Sequence, residues 1–174
     1  MPCIHLSRHF FYFVANKYTG MVKKILIGLL IALVVLQFVR PDKNVATAMS
    51  ANDISTKYTV PDDVNAILKK ACNDCHSNNT TYPWYTNIQP IGLWMQHHVD
   101  EGKAELDFSE FAAYKNKKAA HKMEEVVEMV EEGEMPLSSY TIVHTDAKLT
   151  STEKATLVAW AKALHQQIKS QPAE

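Results

Sequence analysis

Cys72-Asn73-Asp74-Cys75-His76 holds two thiols and an imidazole in five consecutive residues. A Cys-x-x-Cys-His run is the pattern of c-type haem attachment. Its two thiols add across the haem vinyl groups as thioethers, and the adjoining histidine then becomes the proximal iron ligand. With 3 Cys and 8 His in 174 residues, such a run arises by chance in roughly two of a thousand chains of this composition. Two other uses of a Cys-x-x-Cys pair fit less well. A redox dithiol follows a strand and opens a helix, whereas this pair comes at the end of an amphipathic stretch. A structural zinc needs two further ligands, and the chain has no second Cys-x-x-Cys and no finger-like histidine spacing. Cys3 stands far from the pair and reads as incidental.

A haem iron in an electron carrier takes a second protein ligand, and Met135 is the expected one. Gly133 ends the preceding helix, and Pro136 pushes Met135 towards an extended backbone, leaving the thioether in a loop. A soft thioether favours ferrous iron and raises the potential. His98 is the rival distal ligand. It lies one turn after Trp94 on the same helix face, and as a ligand would give a lower-potential bis-histidine site; it is also placed to bond a haem propionate, and a satisfied packing residue is the alternative. Tyr82, Trp84 and Trp94 are the remaining cofactor-binding candidates, with aromatic faces to cover a porphyrin and polar edges to meet propionates. Ordinary core packing is the alternative for these rings. His144, in a loop before the last helix, is read either as a propionate contact or as an exposed residue. His97, His121 and His165 read as surface residues.

The elements that must position this motif read as all-α. Pro61-Asp62-Asp63 opens a helix whose Val64, Ile67, Leu68 and Ala71 share one face and lead into Cys72. Pro90 opens a second helix over 90–101, ending near Gly102. Asp107 or Ser109 caps a short helix through Tyr114. Lys117–Glu132 forms a longer helix with Met123, Val126, Val127 and Val130 as its apolar stripe. Thr150-Ser-Thr-Glu153 is a capping box opening a last helix that buries Leu157, Trp160, Ala161, Leu164 and Ile168. The only β-like alternation is the short stretch 140–143.

Ahead of this domain lies Ile25–Val39, fifteen residues with a single polar member, Gln37. At 1.5 Å per residue it spans about 22 Å, and adding Met21 and Val22 with snorkelling lysines brings it nearer a ~30 Å bilayer core. Lys23 and Lys24 precede it, which puts the N-terminus in the cytoplasm and the remainder outside. A retained signal anchor is preferred to cleavage at Ala46-Thr47-Ala48, which lies far beyond the apolar run. The expected organisation is a non-native extension or cytoplasmic tail over 1–20, with translation beginning at Met21; a signal anchor over 21–40; a linker over 41–58; and a haem domain over 59–170.

All 19 acidic residues lie after position 41, against 13 basic ones, a net charge of −6. This excludes the basic face a nucleic-acid binder needs and suits docking on a basic redox protein. The glutamates of 124–134 read as a solvated helix face.

Cys72–His76 is followed by Ser77-Asn78-Asn79-Thr80 and Tyr82-Pro83-Trp84-Tyr85, with Glu-Gly-Glu-Met135-Pro136-Leu137 further on. In these strings, and across residues 60–165, the chain resembles a bacterial haem-binding domain family. The resemblance implies a small exported protein with one haem c. More broadly the layout is similar to class I cytochromes c. Leu93-Trp94 departs from the paired tryptophans frequent in the family, and the long 77–110 stretch departs from compact cytochromes c. The expectation is a single-pass protein of a bacterial inner membrane, its periplasmic cytochrome c-like domain carrying single electrons and not acting as an enzyme. The alternatives are a peroxidase-like enzyme with His98 as acid–base group and a haem-based sensor with an exchangeable distal ligand.

Overall fold

The computed structural model describes the backbone from His5 to Pro172 and the side chains from Thr19 to Pro172. Cys3 lies outside the described residues, as do the side chains of 1–18 in the expected 1–20 extension. Among the described residues the protein is all-helical, with one isolated antiparallel bridge between Val45 and Asn79. The eight α-helices are α1 (His5–Leu36), α2 (Ile54–Lys57), α3 (Asp62–Ala71), α4 (Asn73–His76), α5 (Ile91–Glu105), α6 (Asn116–Glu132), α7 (Ser138–Val143) and α8 (Ser151–Lys169). Tight 3-10 turns cover Trp84–Asn87, Phe108–Ala113 and Thr145–Ala147. The chain divides into two compact units, residues 1–41 with 83–94, and residues 42–82 with 95–174.

The first unit holds α1, whose Thr19–Leu36 window has a mean hydropathy of 2.2 and is long and apolar enough to cross a membrane. Its apolar side chains are exposed all round, as suits a lipid-facing helix and not a core helix. Beyond Leu36 the chain is tied to residues 87–89. The Gln37 side-chain amide donates to the Gln89 carbonyl at 3.0 Å and accepts from the Gln89 N–H at 3.0 Å. The Gln89 amide donates to the Val39 carbonyl at 3.0 Å, and Arg40 donates to the Asn87 carbonyl.

The second unit has one hydrophobic core. Val64, Ile67 and Leu68 of α3 pack with Ala119, Ala120, Met123 and Val130 of α6 and with Leu157, Ala161, Leu164 and Ile168 of α8. The α3 and α8 faces follow the expected helical stripe, although Trp160 is only half-buried and turns its indole N–H to the Thr59 carbonyl at 3.2 Å. Helix α8 starts on the capping box: the Thr150 hydroxyl accepts from the Glu153 N–H at 3.2 Å, and the Glu153 carboxylate accepts from the Thr150 N–H at 2.9 Å. The Glu153 carboxylate also receives Lys70 of α3 at 2.6 Å, joining the two helices. Gly133 closes α6 with φ +80°, a left-handed position that costs glycine little.

Four expectations need correction. The 41–58 stretch is more than a linker: Ile54, on the one-turn helix α2 capped by Asp53, and Tyr58, just after it, lie in the core, with Tyr58 edge-on to Phe111 at 5.9 Å. A single turn is too short to leave a period in the sequence. Residues 83–94, inside the expected 59–170 domain, group with residues 1–41 in the first compact unit. Residues 140–143, with their β-like alternation, are helical; four residues do not distinguish the two periods. Finally, α5 does not stop near Gly102 but runs to Glu105, for a reason that lies in the site.

Candidate haem-binding site

The attachment motif forms its own helical turn. α3 ends at Ala71, Cys72 joins it to α4 with a break in the helical backbone, and Cys75 and His76 hydrogen-bond back to the Cys72 carbonyl at 3.1 and 2.9 Å. Both cysteines are half-buried as residues. Burial, with the neighbouring Cys75, pushes the Cys72 thiol up to about 12; burial, with Asp74, pushes Cys75 up to about 11. Burial with no stabilising cation beside it is a poor setting for the reactive thiolate of a redox dithiol. Among the described residues, moreover, no group of three or more His, Cys, Asp or Glu could hold a bare metal ion.

His76 is held by the C-terminal end of α5. Its Nδ1–H is shared between the Gly102 and Leu106 carbonyls, each at 2.9 Å. Carbonyls only accept, so Nδ1 must carry the proton and Nε2 presents its lone pair. The negative end of the helix dipole also favours a basic imidazole. Phe108, buried behind the ring, meets it edge-on at 6.5 Å. This arrangement explains Gly102. A Cβ there would lie 2.6 Å from the Cys75 carbonyl oxygen and 2.9 Å from its Cβ. The glycine lets α5 press against the attachment turn and continue one more turn to reach His76. Read along the sequence it looks like a terminator; in space it is a close approach.

The Ser77–Thr80 string that follows is a polar knot. The Asn44 side chain donates to the Ser77 carbonyl at 2.7 Å and the Thr80 hydroxyl at 2.9 Å, and accepts from Lys103 of α5 at 2.8 Å. Asn78 N–H donates to Ser109 at 3.0 Å. Glu110 accepts from Ser50, Asn52 and Asn78, and these bonds, Asn52 first, lower its carboxyl pKa. Residues 44–52, which carry no motif, are thereby half of the structure that fixes the loop after His76.

Asp74, inside the attachment motif, binds the far side of the site. One of its oxygens accepts from the Thr81 N–H at 2.9 Å and the other from the Tyr140 hydroxyl at 2.7 Å. Tyr140 stacks on His144 with centroids 4.1 Å apart. Burial, then the Asp74 bond and charge, raise the Tyr140 pKa well above the phenol range, so it remains a donor. Neither Asp74, at a variable position of the motif, nor Tyr140, in the 140–143 stretch, is marked as a site residue by the sequence pattern.

The other candidates fall in different places. Met135 is half-buried in the loop after Gly133; its N–H donates to the Met129 carbonyl at 3.1 Å, and its peptide bond to Pro136 is cis. Tyr82 is half-buried, with its hydroxyl accepting from Asn44 N–H at 2.8 Å and donating to Gln96 at 2.9 Å. His98 is half-buried on α5, its Nδ1 3.9 Å from Glu101, whereas His97 is exposed. Trp84 and Trp94 lie in the first unit, 75% and 50% exposed, which excludes ordinary core packing for both.

An all-helical core that presents two cysteines and an imidazole of fixed tautomer on one turn offers a donor set suited to haem. The model of the haem-binding domain family matches residues 31–163, and the chain belongs to that family. No curated protein and no solved structure matched it. The donor set fits the group: His76 Nε2 is oriented for iron, and Cys72 and Cys75 stand on the same turn.

Proposed function

We propose that the protein is a membrane-anchored monohaem c-type cytochrome that carries single electrons on the periplasmic side of a bacterial inner membrane. The observation that carries this reading is the His76 Nδ1–H held between the Gly102 and Leu106 carbonyls, one residue after a Cys-x-x-Cys pair. Cys72 and Cys75 would hold the haem through thioethers and His76 would be its proximal ligand. Met135 would be the distal ligand, with Tyr82 and His98 around the cofactor. A haem bound there supplies a one-electron iron couple.

The chain's own residues do the rest. The α5 carbonyls keep the imidazole proton on Nδ1, so the ligand is oriented before the metal arrives. Phe108 and the core behind it exclude water from that side. Asp74 and Tyr140 bind the attachment turn to α7, which follows the Met135 loop directly. The net −6 charge after position 41 suits docking on a basic redox protein. The apolar α1, with Lys23 and Lys24 before it, suits a retained anchor with the haem domain outside.

The test uses protein matured in a host able to attach haem c. The pigment is expected to resist acid–acetone extraction. The spectrum is expected to be six-coordinate and low-spin in both redox states, with a near-infrared sulfur–iron charge-transfer band that Met135→Ala abolishes while the potential falls. Extractable haem rejects covalent attachment. A wild type without the band rejects Met135, and a high-spin iron that turns over peroxide replaces the carrier with an enzyme.

A further inference from the structure

The first unit contains a feature that the haem site proposed above does not use. Pro83–Trp94 carries no charged side chain; none occurs between Asp74 and Asp100. Trp84, Ile88 and Ile91 are all exposed on it. Such a surface, apolar and uncharged, is out of place facing bulk water. The segment is nonetheless firmly built. Gly92 packs so closely that a Cβ would lie 2.2 Å from the Thr86 carbonyl, the Thr86 hydroxyl donates to the Pro83 carbonyl at 2.6 Å, and Gln89 is fully buried. Every kind of polar group on Gln89 is engaged: N–H with Gln37, carbonyl with Gln37, side-chain N–H with Val39, and side-chain oxygen with the Leu93 N–H at 2.9 Å. Complete internal pairing is the condition for placing backbone where water is scarce.

Its position along the membrane normal follows from these bonds. The Thr19–Leu36 window has 18 residues, about 27 Å of helix, close to a ~30 Å hydrocarbon core. Gln37 therefore falls at the boundary where α1 leaves the lipid. Residues 87–89 are bonded to Gln37, Val39 and Arg40, so they share that level. Tryptophan is favoured there, because its ring is apolar and its N–H meets headgroups.

We infer that Pro83–Trp94 rests in the interface of the leaflet that α1 leaves at Gln37, with Trp84, Ile88 and Ile91 in contact with lipid. This rests on the anchor reading of α1. The occupant is the bilayer: the surface is uncharged, and its hydrogen bonds continue directly into the end of the spanning helix.

Haem-loaded, full-length protein in phosphatidylethanolamine–phosphatidylglycerol vesicles tests this. A phospholipid with a photoactivatable diazirine near the top of its acyl chain is included, and adducts are mapped by mass spectrometry. Adducts are expected both within 19–36 and within 84–91. Ile88→Asp and Ile91→Asp should lose the second set, keep the first, and leave the Soret band unchanged. Adducts confined to 19–36 overturn the inference while α1 remains an anchor, and leave the surface to a protein partner. Absence of adducts in both regions overturns the anchor reading and the inference together. A Soret shift in either isoleucine variant, with the 84–91 adducts retained, assigns the segment to the haem and also overturns it.

Discussion

The attachment turn and the Met135 loop would supply the two iron ligands, and they are built differently. Cys72–His76 is fastened on every side: to α5 by two carbonyls on His76, to the 44–52 stretch through the loop after it, and to α7 through Asp74. The Met135 loop is fastened by its ends. Gly133 closes α6 before it, the Met135 N–H meets Met129, and α7 follows with Tyr140 bonded to Asp74. A ligand oriented by second partners is held whether or not the metal is present. A thioether on a short loop would depend more on the metal itself, and would be the side where exchange or replacement comes first.

The largest break in this contrast comes from Gly102→Ala. Its Cβ meets backbone atoms of Cys75, which cannot move aside like a flexible side chain. Stability is expected to fall by about 3 kcal/mol, at the upper end for overpacking. His76 ligation should weaken, seen as a high-spin fraction in the visible spectrum during denaturant unfolding. Unchanged stability with a low-spin spectrum would show that α5 does not set the proximal geometry.

Tyr140→Phe sharpens the comparison from the other side. It deletes the bond to Asp74 while keeping the ring on His144. A loss of about 1–2 kcal/mol is expected for a partly exposed bond to a carboxylate. Carbon monoxide should then bind the ferrous protein faster, because the Met135 side is released while attachment stays intact. Equal rates in mutant and wild type would remove Tyr140 as the tie between the two ligand segments.

The smallest effect is confined to acid. Lys70 first, and then the capping bonds of Thr150, hold the Glu153 carboxyl down to about 2 from 4.5. A depressed folded pKa stabilises above the unfolded pKa and loses that contribution as pH falls through the folded one. Wild-type stability should therefore fall between about pH 4.5 and 2 with a component that Glu153→Gln lacks. Parallel acid titrations of the two proteins, followed by circular dichroism, check this; coincident slopes would assign the acid sensitivity elsewhere.

Much of the helical frame was legible from short-range patterns. The α3 and α8 stripes, the Thr150–Glu153 box and Gly133 are each set by residues within a turn or two of one another, and the structure keeps them. The 42–58 stretch was not legible because α2 is a single turn whose burial depends on Phe111, far along the chain. Trp84 and Trp94 showed as aromatic neighbours of the motif, but nothing local placed them with α1; that came from Gln37 and Gln89, fifty-two residues apart.

Sequence alone determined the chemistry on offer, because two thiols and an imidazole at this spacing are a property of five consecutive residues. Tertiary structure decided how that chemistry is held. The partners of His76 are main-chain carbonyls, which every residue carries and no sequence pattern marks. Glycine at 102 matters only because Cys75 lies against it. Hydrogen bonds to backbone and close approaches between helices are long-range facts, created when the core closes.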